Sequence, residues 1–236
     1  MAETDWVSFS NEASSAEVLA LPTMAPSLVP PDGGLFTFGA RSLVADAKFR
    51  GKVSTRAGLH PVPANKGGSI SAYLRKHSPS SGNCLYSPLL FLLDGHDLAS
   101  DPEGYLLGLS EGAPYYIQLR KGRLLDGLPQ TSYLARSSAS FTGAQWIGLK
   151  LDLVHNPQGD LVLNVYRDLS APLSPAAPDW QRIAGFSSSY VDDNLGVLSG
   201  SVPITAQKYL GFGFFFRETS AVASIDYVKH AAQLTP

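Results

Sequence analysis

Leu149, Leu151 and Leu153 alternate with Lys150 and Asp152, the chain turns through Asn156-Pro157-Gln158-Gly159, and Leu161, Leu163 and Val165 then resume the alternation. A period of two sends successive side chains to opposite faces of a strand, so this stretch predicts an antiparallel hairpin with one apolar and one wet face. Similar runs recur at short intervals from Leu35 onward: "GLFTFGARSLV", "GGSISAYLRKH", "SPLLFLLD", "GYLLGLSEG" and "PYYIQLRKG". Short strands between turn signals predict a sandwich or barrel. The stretch from Tyr209 to His230, "YLGFGFFFRETSAVASIDYVKH", reads as two further strands around a polar turn, with Phe212, Phe214 and Phe216 on one face and Ile225 and Tyr227 in the partner strand. No stretch after residue 35 carries a capped apolar stripe of helical period, and no internal repeat is evident.

Residues 1–34 have a different character. Pro22, Pro26, Pro30 and Pro31 precede Gly33-Gly34, a pattern that blocks helix and favours an extended path. Glu12 to Leu21 could form one short helix within it. Trp6 and Phe9 are apolar anchors, so the expectation is an extended N-terminal arm, 1–34, that grips either its own domain or a neighbour, followed by one β-sandwich domain, 35–236.

Composition narrows the partners. The 236 residues suffice for one large sheet-based domain. Charged residues make up 16% and the net charge is −2, which is no field for duplex DNA or an anionic membrane. Cys84 stands alone, so no disulfide framework is expected. The first cation is Arg41 and no apolar run approaches 18 residues, so neither a signal peptide nor a spanning helix is expected.

The order of these elements resembles the concanavalin A-like, or laminin-G-like, antiparallel jelly-roll β-sandwich. "GGSISAYLRKH", "GYLLGLSEGAPYYIQLRKG", "WIGLKLDLVHNPQGDLVLNVYRD" and the final aromatic stretch carry that resemblance over roughly residues 35–230. It implies that the last strands return to the middle of the sandwich beside the first. It also implies a fold that hosts lectins, glycan-binding modules, glycosidases and structural modules of virus particles.

Several residues are candidates for chemistry. Gly108-Leu109-Ser110-Glu111-Gly112 has the spacing of a nucleophile elbow, but Ala113-Pro114 and a strand follow where a helix is required, so Ser110 is expected in a hairpin turn. A glycosidase needs two carboxylates across the scissile bond. After the arm the only glutamates are Glu103, Glu111 and Glu218, and the Glu-x-Asp-x-x-Glu strand motif is absent. Asp94, Asp97, Asp101 and Glu103 share one loop whose hard oxygens would suit Ca²⁺, although acidic residues beside glycine and proline are more often ordinary turn formers. The five histidines lack zinc-ligand spacing. Trp180, Tyr115 and Tyr190 could offer a sugar an apolar platform, although aromatic residues in a sandwich are more often core.

The leading expectation is a non-enzymatic structural module without a cofactor. It would assemble through Trp6, Phe9, Pro30 and Pro31 into a homo-oligomer or with other subunits of a tailed-phage virion made in the host cytoplasm. The alternative is a lectin-like, carbohydrate-binding module that meets a cell-surface glycan. A third is a glycosidase or lyase on the same fold.

Overall fold

The alternating runs do form strands. The structure, a computed structural model, describes residues 5–7, 27–29, 42–46, 60–62, 66–76, 89–94, 103–110, 114–125, 128–141, 145–158, 160–174, 177–184, 186, 190–192, 208–213 and 222–233. For the strands at 5–7, 27–29, 42–46, 190–192 and 222–233 it describes backbone pairing alone. In chain order the strands are β1 (Asp5–Val7), β2 (Ser27–Val29), β3 (Ser42–Asp46), β4 (His60–Val62), β5 (Gly67–Lys76), β6 (Leu89–Leu93), β7 (Glu103–Leu109) and β8 (Ile117–Leu125). They continue with β9 (Leu128–Arg136), β10 (Ile147–His155), β11 (Leu161–Asp168), β12 (Trp180–Arg182), β13 (Tyr190–Asp192), β14 (Lys208–Gly213) and β15 (Val222–Gln233). The described residues include no helix, and hence none long and apolar enough to cross a membrane.

Two antiparallel sheets form the sandwich. The larger runs β12-β11-β10-β5-β15-β3-β2, with β1 also on β15 and β13 also on β11; the smaller runs β4-β14-β6-β7-β8-β9. The expected hairpin is β10–β11, in register from Leu149↔Arg167 to His155↔Leu161. Its turn closes through the Asn156 side chain, which donates to Asp160 Oδ2 at 2.7 Å and accepts from the Asp160 N–H at 2.8 Å. β7 and β8 pair as the second expected hairpin, and Ser110 lies in their connection, its Oγ accepting the Tyr116 N–H at 2.8 Å.

Alternation places the core. Ile70, Ala72, Leu74, Leu149, Leu151, Leu153, Leu161, Leu163 and Val165 of the large sheet face Leu90, Leu92, Tyr105, Leu107, Leu109, Ile117, Leu119, Leu210 and Phe212 of the small one, all of them buried. Burying such side chains is worth about 1.5–3 kcal/mol each before entropy is counted, which is why the leucine period decides which face of β10 and β11 turns inward. β6, a continuous apolar run, is buried on both faces, with Leu89 and Phe91 as inaccessible as Leu90 and Leu92.

The final aromatic stretch departs from its expected hairpin. β14 belongs to the small sheet, where Leu210 and Phe212 stand opposite Leu92 and Leu90 of β6; β15 belongs to the large sheet, where Ile225 stands opposite Leu74 of β5. Alternation marks the inward face of a strand but not its partner, and these two strands pair in different sheets. Phe214 and Phe216 lie outside the described residues. β15 nevertheless sits in the middle of the sheet beside β5, as the jelly-roll resemblance implies.

Two pieces of the N-terminal segment are strands. β1 pairs with β15 (Trp6↔Lys229) and β2 with β3 (Leu28↔Leu43). Phe9, Pro30, Pro31 and the expected helix at 12–21 lie outside the described residues.

Candidate functional site on the outer face of the large sheet

Turning the leucines inward turns the intervening residues of β5, β10, β11 and β12 outward, and strand register sorts them into transverse rows. Ser71, Lys150, Tyr166 and Arg182 are successive cross-strand partners and form one row. Ser69, Asp152 and Asn164 form the next on one side. Tyr73 opposite Gly148, with Asp168 opposite Trp180, forms the next on the other.

The middle row places two cations against one phenol ring. Lys150 Nζ lies 5.2 Å from the centroid of Tyr166 and Arg182 Cζ lies 5.5 Å from it, both within cation–π range. Lys150 also pairs with Asp152 Oδ2 at 2.9 Å. Arg182 is exposed, and no carboxylate among the described residues lies within ion-pair distance of it. Lysine and arginine present donors only, so this row offers positive charge and hydrogen-bond donors beside an aromatic face.

Asp152 is buried, and its Oδ1 has no hydrogen-bond partner among the described residues. Burial pushes its carboxyl above the usual range, while the charge and hydrogen bond of Lys150 and the charge of Arg182 oppose that rise.

Asp168, also buried, is satisfied in full. Its Oδ2 accepts from Tyr73 Oη at 2.5 Å; its Oδ1 accepts from the Ser170 N–H at 2.9 Å, Ser170 Oγ at 2.7 Å and the Asp179 N–H at 2.9 Å. Burial by itself would raise this carboxyl, but the four hydrogen bonds favour the charged form more strongly and hold it below the usual range. Tyr73 moves the opposite way, raised by burial and by its bond to the carboxylate. The Tyr73 side chain reaches Asp168 by crossing Gly148, where an added Cβ would stand 2.7 Å from Asp168 Cβ and 2.9 Å from Tyr73 Cε1. Leu173 packs onto Tyr73 and Trp146 from above.

The residues singled out by sequence are scattered. Trp180 is half-buried on β12, its ring 6.2 Å from that of Tyr73, and borders the cationic row. Tyr115 is a core residue, stacked on Phe141 at 5.8 Å, with no ring face open to a sugar. Tyr190 lies on β13, where only the backbone is described. Asp94 Oδ1 accepts the Glu103 N–H at 2.8 Å, tying the end of β6 to the start of β7; Asp97 and Asp101 lie outside the described residues. Among the described residues no three histidine, cysteine, aspartate or glutamate side chains gather as a metal site would need. Glu111 and Glu218 also lie outside them.

Lys150, Asp152, Tyr166 and Arg182 escaped the sequence reading as a site. The alternation did place Lys150 and Asp152 on the outer face. What brings Arg182 to them is the pairing of β12 with β11 across the proline-rich loop at 169–179, and the sequence carries no signal for that pairing.

The chain matches no protein-family profile and no curated protein. Its fold is shared with solved structures at very low identity. A marine PL-14 alginate lyase from Aplysia kurodai superposes over 100% of both chains with a TM-score of 0.53 at 10% identity. The metal-free carbohydrate recognition domain of Emp46p superposes over 98% of both with a TM-score of 0.51 at 10% identity. A seed lectin from Lotus tetragonolobus covers 100% of both with a TM-score of 0.49 at 9% identity. The two antiparallel sheets and the first two of these likenesses show a concanavalin A-like jelly-roll β-sandwich fold. The expectation that it is not an enzyme is corrected here: a lyase shares the fold over its whole length, so the absence of a recognised carboxylate pair does not argue against catalysis.

Proposed function

We propose that the outer face of the large sheet binds carbohydrate, and that its ligand is an acidic polysaccharide lying along Lys150, Tyr166 and Arg182. The observation that carries this is Tyr166 set between two cations, of which Arg182 makes no close ion pair among the described residues. An aromatic face suits the C–H face of a sugar ring, and guanidinium and ammonium groups suit its carboxylates or sulfates. Lectin-type relatives in fold support binding; nothing among them supports the virus-particle reading, which gives way to this one. The test is affinity electrophoresis through gels containing polyuronate, sulfated galactan or neutral glucan. Retention by the acidic gels, weakened about tenfold or more by Arg182→Ala, is expected on the loss of a charge-assisted contact. Equal retention of wild type and variant, or none at all, would overturn the reading.

The same three side chains favour a second reading, β-elimination of a uronate chain. That reaction needs a cation to stabilise charge developing on the sugar carboxylate, and groups that take and give a proton. Arg182 would supply the first; Tyr166 would take the proton α to the carboxylate, and Lys150 would give one to the glycosidic oxygen as the C4–O bond breaks and the C4=C5 double bond forms. Wild type would then generate an ultraviolet-absorbing unsaturated sugar, and Tyr166→Phe would lose turnover while keeping retention. A wild type that is retained but forms no such product leaves binding alone.

A further inference from the structure

Between β11 and β12 the chain makes a proline-rich excursion, residues 169–179, of which 169–174 and 177–179 are described, and Leu173 lies back against the outer face of the large sheet. The two ends of the excursion meet where the Leu169 N–H donates to the Asp179 carbonyl at 3.0 Å. One side chain ties both its ends to the sheet. Asp168 binds the start of the excursion through Ser170 N–H and Oγ, its end through the Asp179 N–H, and the centre of the sheet through Tyr73 Oη. Ser170 Oγ in turn accepts the Ser174 N–H at 3.1 Å. Leu173 supplies the apolar half of the attachment on Tyr73 and Trp146.

Trp180 and Arg182 begin immediately after Asp179. β12 is only three residues long and lies at the edge of its sheet, so its ladder to β11 alone is a weak constraint. We propose that the Tyr73–Asp168 pair is the positioning element of the carbohydrate face: by buckling the 169–179 strap to β5, it holds Trp180 and Arg182 beside Tyr166. This inference rests on the carbohydrate reading for its purpose, but its mechanics can be tested apart from it. Asp168 and Tyr73 are buried, so they act through the strap and not on a ligand. Gly148 is part of the device, since a side chain there would occupy the path of the Tyr73 phenol.

The test compares Asp168→Asn and the milder Tyr73→Phe with wild type by three readouts. These are amide hydrogen exchange, the fluorine resonance of Trp180 in fluorotryptophan-labelled protein (assigned with Trp180→Phe), and retention on polyuronate gels. Exchange at Ser170 and Asp179 should rise about tenfold or more in Asp168→Asn, and less in Tyr73→Phe, while Leu151 and Leu163 amides of the β10–β11 hairpin change little. The Trp180 resonance should shift, and retention should fall as far as it does in Arg182→Ala. Unchanged exchange in the strap, or an equal rise in the hairpin, would overturn the proposal, the second because it marks general destabilisation. A loosened strap with unchanged retention would overturn it too. If wild type is retained by no polysaccharide, the carbohydrate reading fails; the positioning of Trp180 then stands or falls on exchange and the resonance.

Discussion

Asp152 and Asp168 are both buried on the same face of the sheet, yet their surroundings drive them in opposite directions. Asp168 has four hydrogen bonds to its charged form and is held below the usual range; Asp152 has one ion pair, one unpartnered oxygen, and is pushed up. The signs of their pH dependence therefore differ. For Asp168 the folded carboxyl is the stronger acid, so its contribution is present above the unfolded value and lost as pH falls through the lower folded one. Asp168→Asn should cost about 1–3 kcal/mol at neutral pH, with the difference shrinking in acid. For Asp152 the folded carboxyl is the weaker acid, so ionisation in the folded chain costs stability as pH rises through the ordinary carboxylate range. Asp152→Asn should raise the unfolding temperature at neutral pH, with the gain disappearing in acid. Thermal unfolding of wild type and both variants over a pH series checks the pair together. A loss for Asp152→Asn at neutral pH would mean that its bond to Lys150 outweighs the cost of burial.

At the scale of elements, β10 carries two jobs on alternate residues. Its leucines fill the core, while Gly148, Lys150 and Asp152 build three successive rows of the outer face. The leucine period is legible in the sequence and correctly predicts the hairpin, its turn and its inward face. The expected wet face is less open than alternation alone implies, since Lys150 and Asp152 side chains are only 23% and 12% exposed. Gly148 gives no sequence signal of its role; a glycine in a strand marks a close approach only once the approaching group is known. Gly148→Ala should cost about 1–3 kcal/mol, as overpacking does, because both neighbours it would meet are buried. Denaturant unfolding measures this, and a neutral result would mean that Tyr73 can step aside.

For the whole molecule, the decisive feature is how two sheets divide the chain. β15 is flanked on one side by β5 and on the other by β3 and then β1, so the first strand completes the edge of the last. Removing residues 1–8 would uncover the backbone of β15 opposite β1, and unpaired strand edges recruit other chains. The expected outcome is a less stable protein that self-associates on size-exclusion chromatography. A truncated chain that stays monomeric and equally stable would show that β1 contributes no net pairing energy.

The chain's own sequence determined the all-β class, the period of each strong strand, the hairpins β7–β8 and β10–β11, and the leucine face of the core. Each follows from contacts between near neighbours and from the cost of leaving apolar residues in water. Tertiary structure alone decided that the final aromatic stretch splits between two sheets, that Tyr115 lies in the core, and that Tyr166 stands between Lys150 and Arg182. Those outcomes depend on register between strands distant in sequence, and no local pattern of hydrophobic and polar residues encodes which distant strand will be the partner.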